Sequence, residues 1–397
     1  MSDSCFKVTS VDGAARCGVL TTPHGVVHTP AFMPVGSSGA VKALTAGDLE
    51  ECGIEVVLGN AYHLYLRPGT EIVKTQGGLA RFTGWNKPTL TDSGGYQVFS
   101  MRDISRTTDE GVEFKSHLDG SRHFFTPEKV MQIEHDLGAD VIMTLDECVP
   151  YPTDRQTAAL AVKRTTQWAQ QCLATHAGLL ERSIASRPAP RGRPALGGSS
   201  SAPMLWGIVQ GSVYKDLRTL SAEQIVALEL PGCAIGGLSV GETKQEMEAM
   251  VAHTVQYLPA GKPRYLMGVG YPEDILMAVS HGIDIFDCVL PTRNARTGNV
   301  FTSSGQLTYR NADFADDNQP LDPNCDCKVC RRYSRAYIRH LYNQSEITGM
   351  VLATYHSTYF YQNLMRAIRN AIAEKRLNRY RAEFLAAYGG NSQTNST

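Results

Sequence analysis

The sequence predicts an α/β fold: a closed (β/α)8 barrel of the TIM type, with a small subdomain inserted near the C-terminus. Three observations predict it. Eight short apolar runs rich in β-branched residues recur along the chain, most followed by a segment with helical apolar spacing. No Gly-x-Gly-x-x-Gly follows the first run, which argues against a doubly wound sheet. Beyond the eighth run the alternation stops, and three cysteines crowd into six residues, Cys325-x-Cys327-x-x-Cys330.

The strand runs are residues 31–35, 54–58, 88–91, 140–145, 205–209, 233–235, 264–267 and 283–286. Segments 45–52, 127–137, 153–180, 244–258 and 272–281 carry the helical spacing. Strands alternating with helices imply right-handed βαβ units and a parallel sheet, and eight of them suggest closure. At 397 residues the chain suits a barrel of ~250 residues with insertions. One insertion is a β-hairpin near 111–126, alternating around Asp119-Gly120. Another is a flexible loop, 184–203, rich in Pro, Gly and Ser. The expected division is a barrel over 1–300, a cysteine-bearing subdomain with closing helices over 301–388, and a disordered tail over 389–397.

A formal net charge of -1 advertises no global attraction to nucleic acid. Locally, Arg331, Arg332, Arg335, Arg339 and His340, then Arg366, Arg369, Lys375, Arg376, Arg379 and Arg381, make cation-rich helices. These read either as a phosphate-tracking face or as a solvated surface. The N-terminus lacks the basic-then-apolar run of a signal peptide, and no stretch reaches the ~20 apolar residues of a membrane helix. Seven further cysteines are scattered without framework spacing, as expected of free thiols in a reducing cytoplasm.

Three soft thiolates and one imidazole, Cys325, Cys327, Cys330 and His356, suit a tetrahedral zinc site. The alternative is a buried thiol cluster. Four protein ligands would leave no open position to activate water, so one such ion per chain is structural.

In a parallel barrel, ligands bind at the C-terminal ends of the strands. Here that rim collects Asp92, Asp146, Gln210 and Asp287. A single aspartate after a strand is often only a helix cap, but three at three strand ends make capping a poor account of them all. The glycine pairs Gly94-Gly95 and Gly236-Gly237 let backbone N–H groups approach a ligand closely.

Long motifs accompany these residues: TDSGGYQVFS (91–100), LDECVPYP (145–152), the Gln210-Gly211-Ser212 turn, AIGGLSVGE (234–242), YLMGVGYPED (265–274) and FDCVLPTRNARTG (286–298). With the cysteine cluster they resemble bacterial tRNA-guanine transglycosylases, in order and over nearly the whole chain. The resemblance implies exchange of guanine at the anticodon wobble position of tRNA, in GUN anticodons, for preQ1 (7-aminomethyl-7-deazaguanine) during queuosine synthesis. It assigns Asp287 as nucleophile and Asp92 as general acid/base, with a covalent Asp287–tRNA intermediate and two displacements at ribose C1′. A base pocket is implied from Asp92, Ser93, Gly94, Gly95, Tyr96, Asp146, Cys148, Gln210, Gly237, Leu238, Val240 and Met267. Asp146 would accept from guanine N1 and N2, Gln210 and the Gly237 N–H would donate to O6, and Tyr96 and Met267 would sandwich the ring. RNA contacts are implied for Gly268, Val269, Gly270, Tyr271, Pro272, Glu273 and Asp274, and for Thr292, Arg293, Asn294, Ala295 and Arg296. Tyr271 departs from the lysine that many bacterial members carry there. The resemblance further implies a homodimer with structural zinc.

Two other classes compete: a zinc-dependent barrel hydrolase and a non-catalytic tRNA-binding paralogue. The first strand ends in Pro34-Val35-Gly36 with no His-x-His, against the hydrolase. A non-catalytic paralogue should have lost one of the four rim residues, and all four are present.

Overall fold

The computed structural model describes residues 5–100, 105–185 and 202–389. The chain opens with an antiparallel sheet that the sequence pattern did not disclose, β1 (Phe6–Asp12), β2 (Ala15–Thr22) and β3 (Gly25–Thr29). Its apolar face, Phe6, Leu20 and Val27, packs against Val56, Leu90 and Ile285 near the starts of barrel strands. It therefore plugs the N-terminal end of the barrel.

The barrel strands are β4 (Ala31–Gly36), β5 (Val57–Asn60) and β6 (Thr89–Asp92), then, after an excursion, the remaining five. That excursion is β7 (Ser105–Thr107), β8 (Val112–Lys115) and β9 (Arg122–Phe125), an antiparallel sheet of three strands where a two-stranded hairpin was expected. Then come β10 (Val141–Met143), β11 (Met204–Val209), β12 (Gly232–Ile235), β13 (Arg264–Leu266) and β14 (Ile285–Cys288). The eight parallel strands close, with β14 pairing with β4. The second strand starts three residues later than the apolar run suggested and reaches Asn60, in register with Asp92. Side chains fill the interior. Trp206 faces Gly232 across the ladder, where a Cβ would lie 2.4 Å from the indole, so that position needs glycine.

Helices follow the strands. Ala46–Glu51 starts on a capping box from Thr45 and Asp48, and Lys244–Thr254 on one from Thr243 and Glu246. Helix Lys215–Val226, weakly amphipathic, escaped the sequence pattern. Helix Arg155–Ala185 runs into the first two positions of the predicted 184–203 loop; residues 186–201 lie outside the described residues. Gly389 closes helix Leu377–Gly389 instead of opening a tail, and 390–397 lie outside the described residues.

After the barrel come the hairpin β15 (Val300–Thr302) and β16 (Gly305–Leu307), the cysteine loop, and the long helix Ile347–Ala373. This helix is bonded along the barrel wall: Tyr361 Oη donates to the Gly270 carbonyl, and Gln362 Nε2 to the Phe32 carbonyl at 3.2 Å.

Candidate active site

The two predicted catalytic carboxylates end two strands, β6 and β14, and meet different surroundings. Asp92 is buried and accepts from Asn60 Nδ2, from the Ala61 N–H at 3.1 Å and from Gln97 Nε2 at 2.8 Å. Desolvation dominates these three donors and, with the Asp287 charge adding to it, pushes the Asp92 pKa up to about 7. Asp287 is half-buried. Its Oδ1 takes both the Tyr265 hydroxyl at 2.6 Å and the Gly268 N–H at 2.8 Å, so neither bond occupies Oδ2. Desolvation raises its pKa, and these two donors hold it back. Tyr265 is itself buried, with its pKa driven up by burial and by Asp287, so it remains a donor.

A second polar cluster lies at the ends of β10 and β11. Asp146 accepts from Gln210 Nε2 at 2.7 Å and from Ser93 Oγ at 3.2 Å; burial lifts its pKa to about 6. Ser93 Oγ also accepts the Gly95 N–H at 3.2 Å. A Cβ on Gly95 would come within 2.8 Å of the Asp146 carbonyl, and Gly94 sits at φ +76 against Tyr62 and Phe125. The next strand closes on the Gln210 amide: a Cβ at Gly236 or Gly237 would approach it to 2.7 or 2.3 Å. An amide engaged with Asp146 keeps its second N–H hydrogen for a ligand.

Around this cluster Cys148 is buried and Val240 half-buried. The N–H groups of Ser239 and Val240 both donate to the Glu242 carboxylate, at 2.5 and 3.0 Å. The Leu238 side chain belongs to the core, leaving its backbone for the pocket. Met267 packs on the barrel interior, while Tyr96 is 52% exposed above the mouth.

The predicted RNA-facing segments divide by burial. Arg293 is exposed, and Asn294 and Arg296 are half-buried, Arg296 Nη1 holding the Thr292 carbonyl at 2.7 Å. Val269, Pro272, Thr292 and Ala295 bury their side chains, so only their backbone could meet RNA. Gly270 is packed on Cys288, and Gly268 faces open space. Tyr271 lies edge-on to Phe301 with Lys244 Nζ 4.7 Å from its ring centre. Asp274 pairs with the same lysine, and burial raises the pKa of Glu273.

The donor atoms of Cys325, Cys327, Cys330 and His356 all lie within 4.8 Å of one another and could hold a metal ion. His356 Nε2 meets the Phe301 carbonyl at 2.9 Å; as its donor it leaves Nδ1 to face the Cys330 sulfur at 3.3 Å and Cys327 at 3.7 Å. A carbonyl that holds the far ring nitrogen and fixes the tautomer is what a ligating imidazole needs. Among the described residues this is the one such group of three or more ligating side chains, and it includes no carboxylate. No described helix is long and apolar enough to cross a membrane.

Sequence reasoning missed four residues that set these geometries: Asn60, Gln97, Tyr265 and Arg218. Asn60 lay two residues beyond the predicted run 54–58, and Tyr265 stood in a predicted strand and a quoted motif without a role. Gln97 stood inside a quoted motif without a role. Arg218 lay in no predicted element and carried no signal, yet it is fully buried.

A family model described as queuine tRNA-ribosyltransferase matches residues 12–390. The chain is 50% identical over 379 residues to a queuine tRNA-ribosyltransferase of Caldanaerobacter subterraneus subsp. tengcongensis, covering 96% of each. It is 51% identical over 374 residues to one from Desulforamulus reducens (94% of this chain, 95% of that one). It is also 51% identical over 378 residues to one from Halothermothrix orenii, covering 95% of each.

Proposed function

The chain belongs to the queuine tRNA-ribosyltransferase family, the tRNA-guanine transglycosylases, which are pentosyltransferases; on that premise we propose that it exchanges guanine at the tRNA wobble position for preQ1 through a covalent Asp287–ribose intermediate. The observation that carries the division of labour is the contrast between its two rim carboxylates. Asp92, with a pKa near 7, can both give and take a proton at neutral pH. Asp287 is oriented by Tyr265 and Gly268, both on one oxygen, as a nucleophile should be.

Attack by Asp287 on C1′ from the face opposite the base breaks the C1′–N9 bond. The electron pair passes into the purine, and Asp92 delivers the proton that completes guanine. The incoming base then loses a proton to Asp92, attacks C1′ and expels Asp287, so two inversions retain the β configuration. Asp146 accepts the N1–H and N2–H donors of the base edge; Gln210 and the Gly237 N–H donate to O6. Adenine reverses that pattern and would leave buried groups mispaired, at about 1–3 kcal/mol each. Tyr96 and Met267 bracket the ring, and Arg293 and Arg296 face the neighbouring anticodon nucleotides. Cys148 and Val240 wall the 7-substituent, leaving room for an aminomethyl group and little for the cyclopentenediol of queuine.

One zinc per chain, held by Cys325, Cys327, Cys330 and His356, would be structural, since sulfur and nitrogen donors fill all four positions. The working form is a cytoplasmic homodimer. The deciding experiment is Asp287→Asn with tRNA carrying labelled guanine. Exchange should vanish, along with the denaturation-resistant protein–tRNA adduct, while zinc content stays constant. Substantial turnover by that variant, checked for deamidation, removes Asp287 from the role.

A further inference from the structure

Arg218 sits on helix Lys215–Val226, outside every motif quoted above, and its side chain is fully buried. A buried guanidinium normally faces a carboxylate, because an unpaired charge in the low-dielectric interior is costly. Arg218 faces four backbone carbonyls instead. Nε donates to Ser212 at 2.8 Å, Nη1 to Val209 at 3.2 Å and to Gly236 at 2.7 Å, and Nη2 to Gly237 at 3.1 Å. These carbonyls come from the end of β11 and the loops just beyond β11 and β12, which carry Gln210 and Gly237.

The peptide joining Gly236 to Gly237 is trans, so its C=O and N–H point in opposite directions. Anchoring the Gly236 oxygen on the guanidinium turns the Gly237 N–H away from it, and the Gln210 amide that binds Asp146 lies against both glycines. The cation behind that peptide also polarises it, strengthening the N–H as a donor.

Resting on the exchange reaction proposed above, we propose that Arg218 is a positioning residue for the departing base: from behind the strand ends it aims and polarises the Gly237 N–H toward the purine O6. The need arises when the C1′–N9 bond breaks. Its electron pair spreads over the purine to O6 until the proton from Asp92 arrives, and a preset donor at O6 stabilises that charge.

The test compares Arg218→Met, which keeps bulk and loses charge, with Arg218→Lys, which keeps charge and loses part of the hydrogen-bond fork. Steady-state guanine exchange is measured on tRNA with the intact zinc-loaded protein. Deleting an oxyanion donor outright typically costs ~10²–10³ in kcat, so weakening one through its anchor should cost Arg218→Met roughly ten- to a hundredfold in kcat. The KM for tRNA should move by less than about threefold, because the loss falls in the transition state. Arg218→Lys should recover most of that kcat. Equal losses in the two variants would reduce Arg218 to a loop clamp and overturn the proposal, as would unaltered kcat in Arg218→Met. If Arg218→Met does not fold, as judged by circular dichroism and zinc content, Arg218→Gln takes its place against Arg218→Lys under the same criteria. No exchange by the unmutated protein would instead overturn the functional reading and this one with it.

Discussion

Single residues decide the chemistry at the barrel mouth through what surrounds them. Asp92 and Asp287 are the same side chain at equivalent strand ends, yet one is buried with a pKa near 7 and the other is half-buried and pinned by a tyrosine. This contrast predicts opposite pH dependences for the two half-reactions. Guanine release needs Asp92 protonated, so its single-turnover rate should fall about tenfold per pH unit above 7. Base incorporation needs the carboxylate and should fall by about the same factor per unit below 7. Release must also decline at acid pH, where Asp287 takes up its proton. Rapid-quench measurement of the two steps checks this; parallel profiles would remove Asp92 from one of its roles. On the proposed reading, Val240 would set specificity by bulk. Replacing it with glycine should raise the use of queuine relative to preQ1 about ten- to a hundredfold in direct competition, since relief of overpacking is worth ~1–3 kcal/mol. An unchanged ratio would show that the 7-substituent does not pass that wall. All four polar rim residues could be named from the sequence, because each ends an apolar run. Their partners could not, because Asn60 and Tyr265 lie 32 and 22 residues from the carboxylates they bind.

At the scale of elements, helix Ile347–Ala373 joins the cysteine cluster to the barrel mouth. His356 on its inner face points into the cluster, and five residues on, Tyr361 holds the carbonyl of Gly270, which packs on Cys288 beside Asp287. The helix also packs on Leu290–Arg296, which carries Arg293 and Arg296. Cys327→Ala should therefore drop zinc from about one per chain to near zero and destabilise the C-terminal region by at least ~3 kcal/mol, given the ~10–16 kcal/mol that zinc supplies to isolated fingers. Affinity for tRNA should fall with it while Asp287 and Asp92 remain in place. Elemental analysis, thermal melting and tRNA binding read the three effects; retained zinc in a Cys325/Cys327 double variant would contradict the ligand set. Helix 127–137 was legible to the residue because Thr126 caps it, Pro127 opens it and Gly138 closes it in the left-handed conformation. Helix Lys215–Val226 was not, since it buries Arg218 and Ser221 among its apolar positions and blurs the period.

Across the whole molecule, closure of the barrel is tied at the end opposite the site. Arg16, on β2, donates from Nε and Nη2 to both oxygens of Asp284 at 2.9 and 2.5 Å, and its other bonds reach the carbonyls of Ala260 and Lys262. Asp284 also accepts the Arg264 N–H at 2.7 Å, linking the entries to β13 and β14. Breaking a buried pair from one side leaves a naked charge, so Arg16→Ala should cost about 3–5 kcal/mol in urea unfolding. Guanine exchange per folded molecule should stay unchanged, because the pair lies at the far end of the strands. A loss below ~1 kcal/mol would mean that the N-terminal sheet does not brace the barrel.

By itself the sequence determined the eightfold alternation, the carboxylates and amide at the strand ends, the four sulfur and nitrogen donors, and the family these motifs resemble. Each is written in local periodicity, or in residue types that few other roles explain. Only the tertiary structure decided which groups face one another. It put Asn60 and Gln97 on Asp92, Tyr265 on Asp287, Gln210 on Asp146, and the buried Arg218 behind Gly236 and Gly237. The reason is physical: a pKa or an aimed N–H depends on desolvation and on partners brought in by barrel closure, and neither has a signature in local sequence.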